Sequence, residues 1–190
     1  MKKIILFASG SGTNAETIIR YFANTQTARV VAVFTNNAKA GVIAKAQHLN
    51  VPVVVFTKSA FESDDVLEAV GKYSPDLLVL AGFLWKMPTA FVDAFPHKIL
   101  NIHPALLPKY GGKGMYGLHV HQAVLDQKET ETGISIHLVN EQYDQGALLF
   151  QQKVSIVGCK TAEEVAQKVN ALEHAHFSSV IESYLTSQQA

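Results

Sequence analysis

The chain has 190 residues, 48% hydrophobic and 17% charged, which fits one globular domain with a substantial core and excludes a disordered or low-complexity protein. Sixteen basic residues balance sixteen acidic ones, so no net field favours a polyanion or a membrane surface, and neither nucleic acid nor membrane is expected as a partner. The lone Cys159 excludes an internal disulfide and a Cys-rich metal site, and the apolar run at 4–8 is too short for a secretory leader, so a cytoplasmic location is expected.

In chain order, nearly continuous apolar runs at 3–8, 29–35, 52–56, 76–81 and 98–102 have the character of short, buried parallel strands. Amphipathic segments separate them. In 14–23, Ala15, Ile18, Ile19 and Phe22 fall on one helical face, and 38–49 and 62–73 show looser helical spacing. The alternation predicts an α/β fold with a doubly wound, mostly parallel, Rossmann-like sheet. After residue 130 the pattern changes to two strands, 133–139 and 147–156, joined by a short polar link and expected to pair as a hairpin. Thr161 stands before Glu163 and Glu164 as the N-cap of a long closing helix.

The turn Ser9-Gly10-Ser11-Gly12-Thr13-Asn14 lies where the first strand hands over to the first helix. Its glycines allow close backbone approach, and the unpaired N–H groups of a helix start favour a phosphate. Gly10-x-Gly12-x-x-Ala15 also meets a relaxed dinucleotide fingerprint, but the second strand ends in Phe34-Thr35-Asn36-Asn37, with no acid to hold a ribose. A tight turn that binds nothing is the competing structural reading.

In Asn101-Ile102-His103-Pro104, strand alternation sends Asn101 and His103 to one face, and Pro104 and Pro108 force an irregular path beyond the strand end, where α/β sheets hold ligands. Asp144 lies in the link between the hairpin strands. If that link folds back, its carboxylate pairs with His103, raises its pKa and keeps it charged near neutrality. Otherwise Asp144 and Gly146 are ordinary turn residues. His137 is expected to support the link from below, and the glycine-rich stretch 109–117 to form a mobile flap. His119-x-His121 and His174-x-His176 lie in helical stretches, where positions two apart diverge, so no metal is expected. No Gly-x-Ser-x-Gly occurs, which disfavours a serine hydrolase.

Several stretches together resemble the phosphoribosylglycinamide formyltransferase family, the folate-dependent transformylases of purine synthesis. They are the Ser9 to Asn14 turn, Leu80-Ala81-Gly82-Phe83, Asn101 to Tyr110, the His137-to-Gly146 signature and Glu173-His174, and the likeness runs nearly end to end. The resemblance implies one formyltransferase domain over 1–190, with a phosphate-binding α/β half at 1–100 and a folate and catalytic half at 101–190. Gly12, Thr13 and Asn14 would hold the phosphate of glycinamide ribonucleotide, and Glu173 would reach the same substrate. The reduced folate would lie between Leu84, Trp85, Lys86 and Met87 on one side and Asn140, Glu141, Gln142, Tyr143 and Asp144 on the other, with Asn101 also in contact.

The implied reaction moves the formyl group of 10-formyltetrahydrofolate, a cosubstrate, onto the ribonucleotide amine. Asn101, His103 and Asp144 would be catalytic, no metal is needed, and the protein would be a monomer or homodimer. Trp85, beside Lys86, stands where family members often carry arginine, the region 61–73 is shorter and offers no arginine to the folate tail, and the flap 111–117 is longer than the common pattern. Three alternative readings remain. A methionyl-tRNA formyltransferase would add a basic domain, and a formyltetrahydrofolate deformylase would use water as acceptor and carry an extra N-terminal domain, whereas here Met1 already abuts the first strand. A non-catalytic phosphate-ligand module would have no use for Asn101, His103 and Asp144 together.

Overall fold

A computed structural model describes residues 1–188. Two compact units form: one comprises Met1–Leu100 with the chain from Ser178 onward, the other Asn101–Phe177. In the first unit the elements are β1 (Lys2–Phe7), α1 (Thr13–Ala23), β2 (Ala28–Thr35), α2 (Val42–His48), β3 (Val53–Val55), α3 (Lys58–Glu62), α4 (Asp65–Gly71), β4 (Leu77–Leu80) and α5 (Thr89–Ala94). β1 pairs in parallel with β2 on one side and β4 on the other, and β2 with β3. β5 (Ile99–His103) crosses the unit boundary. α6 (Leu118–Asp126), β6 (Glu131–Leu138) and β7 (Leu148–Ser155) follow, and α7 (Ala162–Ser187) starts in the second unit and ends in the first. Strand order is β3-β2-β1-β4-β5-β6-β7, with β6 and β7 antiparallel. This is the mixed α/β sheet, hairpin and long last helix that the sequence leads one to expect.

The continuous apolar runs become strands because both sheet faces are covered, as the complete burial of Ile4, Ile5, Leu6 and Phe7 requires. Phe7 stacks on Phe34 at 5.3 Å and meets Phe83 and Phe91 edge-on at 5.4 and 6.1 Å. Burying each such ring contributes about 2–3 kcal/mol, so this aromatic centre fixes the strand ends that carry the first unit's loops.

Three segments differ from expectation. The helix expected over 38–49 begins at Val42, because the Asn37 side chain accepts the Lys39 N–H and holds 37–40 as a turn. The helix expected over 62–73 runs only from Asp65 to Gly71, as α4, and the separate short helix α3 precedes it. α3 is capped by Thr57, whose Oγ1 accepts the Ala60 N–H, and the chain goes extended at Ser63 before α4 starts. α5, six residues after Pro88, is too short to show a period. At α7 the expected cap is present: Thr161 Oγ1 accepts the Glu164 N–H, and Glu164 accepts the Lys160 and Thr161 N–H groups in return. No helix among the described residues is long and apolar enough to cross a membrane.

Candidate active site

The second unit brings Asn101, His103 and Asp144 together. β5 delivers the first two, and the link between β6 and β7 turns Asp144 inward while Glu141, Gln142 and Tyr143 stay exposed. Gly146 makes that return possible. A Cβ there would lie 1.6 Å from the Leu138 carbonyl oxygen, so only glycine lets the link close beside the end of β6. After His103 the chain is fastened through Ser135, fully buried on β6. Its hydroxyl accepts the Leu107 N–H and donates to the Ala105 carbonyl, and Gln151 donates to both Ser135 and the Leu107 carbonyl.

Both oxygens of Asp144 are in use. Oδ1 accepts from Asn101 Nδ2 at 3.4 Å and lies 3.5 Å from His137 Nε2. Oδ2 accepts the Gly112 N–H at 2.8 Å and faces His103 Nδ1 at 3.6 Å. Asn101 Nδ2 also donates to His137 Nε2 at 3.1 Å, while His137 Nδ1 donates to the Leu138 carbonyl at 2.8 Å. His137 thus supports the link from below, as expected. His103 Nε2 lies 2.7 Å from the Tyr110 carbonyl, which can only accept, so Nε2 carries a proton and the lone pair of the neutral ring sits on Nδ1.

The expectation that Asp144 keeps His103 charged near neutrality is corrected. Burial, with His103 only 3% exposed, pushes its pKa below the ordinary value, and this outweighs the opposing pull of the Asp144 carboxylate and the Tyr110 carbonyl. His137 pushes in the same downward direction as burial. Burial alone would raise the Asp144 carboxyl, but its polar contacts, the Gly112 N–H among them, hold it below the usual range. At neutral pH the pair is therefore a carboxylate beside a neutral imidazole. Both Asn101 amide hydrogens and the His103 Nε2–H have acceptors within the protein.

In the first unit, Gly12 precedes α1 with φ 75°, and a Cβ there would meet Val42 at 2.6 Å, so glycine is required both by conformation and by the closeness of α2. The start of α1 presents the first-turn N–H groups of Thr13 and Asn14. Glu16 in the same turn is paired with Arg20 and Lys45. Ser9 is structural: its Oγ accepts the Leu84 N–H at 3.0 Å and its N–H donates to the Gly82 carbonyl. Of the four residues expected to face folate here, Leu84 is 46% exposed and Lys86 is exposed, Trp85 packs on Phe56, Phe61 and Phe83, and Met87 turns into the core at 3% exposure. On α7 of the second unit Glu173 is 8% exposed. His119 meets Tyr116 edge-on whereas His121 is buried, and His174 is exposed whereas His176 packs on Phe150, so neither pair converges.

The sequence reading missed the Tyr110 carbonyl and the Gly112 N–H, main-chain groups that residue type does not reveal. It also missed Ser135, whose signal was a hydroxyl set between Ile134 and Ile136.

Residues 2–181 match the family model described as Formyl transferase. A chloroplastic phosphoribosylglycinamide formyltransferase of Arabidopsis thaliana is 40% identical over 95% of this chain, and the Escherichia coli protein of that name is 34% identical over 94%. The chain spans 64% and 60% of the two chloroplastic relatives' lengths, and 86% and 84% of those from Haemophilus influenzae and Escherichia coli. Among solved structures, phosphoribosylglycinamide formyltransferase from Brucella melitensis superposes with a TM-score of 0.87 at 34% identity, covering 97% of this chain and 95% of that one. Glycinamide ribonucleotide transformylase 1 from Symbiobacterium toebii gives 0.91 at 27% identity, covering 98% and 89%.

Proposed function

The chain belongs to the formyl transferase family, and from that premise we propose that it moves the formyl group of 10-formyltetrahydrofolate to the amine of glycinamide ribonucleotide in purine synthesis. The observation that carries this reading is the Asp144 carboxylate held between Asn101, His137 and His103. Such a set serves acyl transfer: a base beside an acid, and an amide where negative charge develops.

The amine, as free base, attacks the formyl carbon. A C–N bond forms, the carbonyl electron pair moves to oxygen, and the tetrahedral adduct carries an oxyanion and an ammonium nitrogen. The neutral ring of His103 takes the ammonium proton at Nδ1, the nitrogen its Tyr110 contact leaves free, and Asp144 stabilises the imidazolium. The oxyanion, a stronger acceptor than a neutral ring nitrogen, draws an Asn101 hydrogen away from His137, and this donor contributes about 3 kcal/mol to the transition state. The proton then passes to N10 of the folate as its bond to the formyl carbon breaks.

In this reading Gly12, Thr13 and Asn14 bind the ribonucleotide phosphate through first-turn N–H groups, and Glu173 binds the same substrate. Leu84 to Met87 and Asn140 to Asp144 contact folate, with Met87 offering main chain rather than side chain. The protein acts as one cytoplasmic formyltransferase domain, with its phosphate half at 1–100 and its catalytic half at 101–190, and works as a monomer or homodimer without a metal.

The test is deformylation of 10-formyltetrahydrofolate by the purified protein with and without glycinamide ribonucleotide. Loss of the formyl group only with the ribonucleotide supports the transferase. Loss without it makes the protein a deformylase, and no loss in either case leaves a ligand-binding module.

A further inference from the structure

We propose that Glu129 is a positioning residue for this reaction: by accepting the Tyr110 hydroxyl it pins the backbone of 110–112, which orients His103 and Asp144. The inference rests on the reading of those two side chains as the proton-handling pair.

Two residues of one loop touch this pair, one each. The Tyr110 carbonyl accepts from His103 Nε2 at 2.7 Å, and two residues on the Gly112 N–H donates to Asp144 Oδ2 at 2.8 Å. This backbone is not self-supporting. Tyr110 sits at φ 57°, a left-handed conformation that a bulky residue keeps only when its surroundings hold it. The hold is on the side chain: the Tyr110 hydroxyl donates to Glu129 Oε1 at 2.9 Å, and Lys109 Nζ approaches the same oxygen at 2.9 Å. Glu129 is itself fixed. Beyond α6 the chain reverses at Lys128, φ 54°, and the Glu129 N–H donates to the carbonyl of Val124, fully buried on that helix. A rigid helix end thus places a carboxylate, the carboxylate places a phenol, and the phenol places the carbonyl that selects the His103 tautomer.

The tautomer is the consequence that matters. With Nε2 donating to Tyr110, the base nitrogen is Nδ1, beside Asp144. Without that carbonyl the proton is free to sit on either nitrogen, and the ring with its proton on Nδ1 cannot accept one there. The charged and titratable groups facing the ring are Asp144 from the β6–β7 link, His137 from β6 and His121 from α6. Among these surroundings the Tyr110 carbonyl favours the cationic ring, so losing it moves His103 to a lower pKa.

The experiment is ¹⁵N imidazole spectroscopy across a pH series on the substrate-free protein, with His103 assigned from the spectrum of His103→Gln. Wild type is expected to show the Nε2–H tautomer. Tyr110→Phe, which deletes only the hydroxyl, and Glu129→Ala are expected to give mixed tautomers and an acid-shifted His103 titration, with Glu129→Gln restoring both because its amide oxygen still accepts. Under the transferase assay the first two variants lower kcat about 10- to 100-fold with KM nearly unchanged. An unchanged tautomer and titration in both Tyr110→Phe and Glu129→Ala overturns the inference. Because the spectra need no substrate, a wild type that transfers no formyl group overturns the proposed function alone.

Discussion

Asp144 is the residue on which the site converges, and its chemistry sets the sharpest expectations. Asp144→Asn replaces one acceptor oxygen by a donor that would face Gly112 N–H or the Asn101 amide, so the residue loses both its charge and its fit. Turnover should fall by roughly 10²- to 10⁴-fold in Asp144→Asn and in His103→Ala, while ribonucleotide affinity by calorimetry stays near wild type. Near-normal turnover in either variant would remove that residue from the chemistry. Stability carries a second signature. Burial is the first cause of the lowered pKa of both His103 and His121, whose ordinary value is 6.5. Below that pH the unfolded chain binds more protons than the folded one, so stability falls as pH drops from 6.5 toward the folded pKa values. Asp144 acts in a more acid window: its lowered pKa stabilises the fold above the ordinary 3.8, and that contribution is lost as pH falls through its folded value. His121 Nδ1 is buried with no hydrogen-bond partner. His121→Leu should therefore flatten the loss of Tm between neutral and mildly acidic pH, and an unchanged slope would assign that slope to other groups.

The β6–β7 link shows how an element places a side chain that composition alone leaves ambiguous. Asp and Gly in a turn are ordinary, and only the folded path distinguishes Asp144 from a turn former. Gly146→Ala tests this at a distance from the chemistry. Its Cβ would collide with the Leu138 carbonyl, so the link must shift, and turnover should drop at least about tenfold while circular dichroism stays that of the wild type. Unchanged turnover would mean that the link tolerates a different path. The five strands of 1–103 were legible because strands buried on both faces read as unbroken apolar runs. α3, α4 and α5 were not, since their lengths of five to seven residues carry fewer than two turns of period and their limits are set by Thr57, Ser63 and Pro88. Asn101, His103 and Asp144 were legible as a set because their types are costly to bury without purpose. The protonation of His103 was not, because burial that Asp144 only partly offsets is a property of the packed site.

At the scale of the whole molecule, the zero net charge limits how the proposed ribonucleotide substrate arrives. No long-range field draws in a dianionic phosphate, and the proposed phosphate contacts are helix N–H groups, whose attraction is short-ranged. The transferase kcat/KM for the ribonucleotide should change little between low and physiological ionic strength, and a steep fall would reveal local steering that the balanced composition hides. The near end-to-end likeness to one family could be read from its motifs. The inward turn of Met87 and the aromatic packing of Trp85 could not, since both depend on how Phe56, Phe61 and Phe83 fill the first unit.

Ser9 gives this unit one more property. A single hydroxyl oxygen at the end of β1, just before the Gly10 to Asn14 turn, accepts the main-chain N–H of Leu84, so the turn proposed to hold phosphate and the start of the segment proposed to hold folate share one anchor. A ligand that stills one of them has already met part of the entropic cost of stilling the other. On the proposed reading of these two segments, the two substrates would be thermodynamically linked before any reacting atoms meet, each raising the affinity for the other by the same factor.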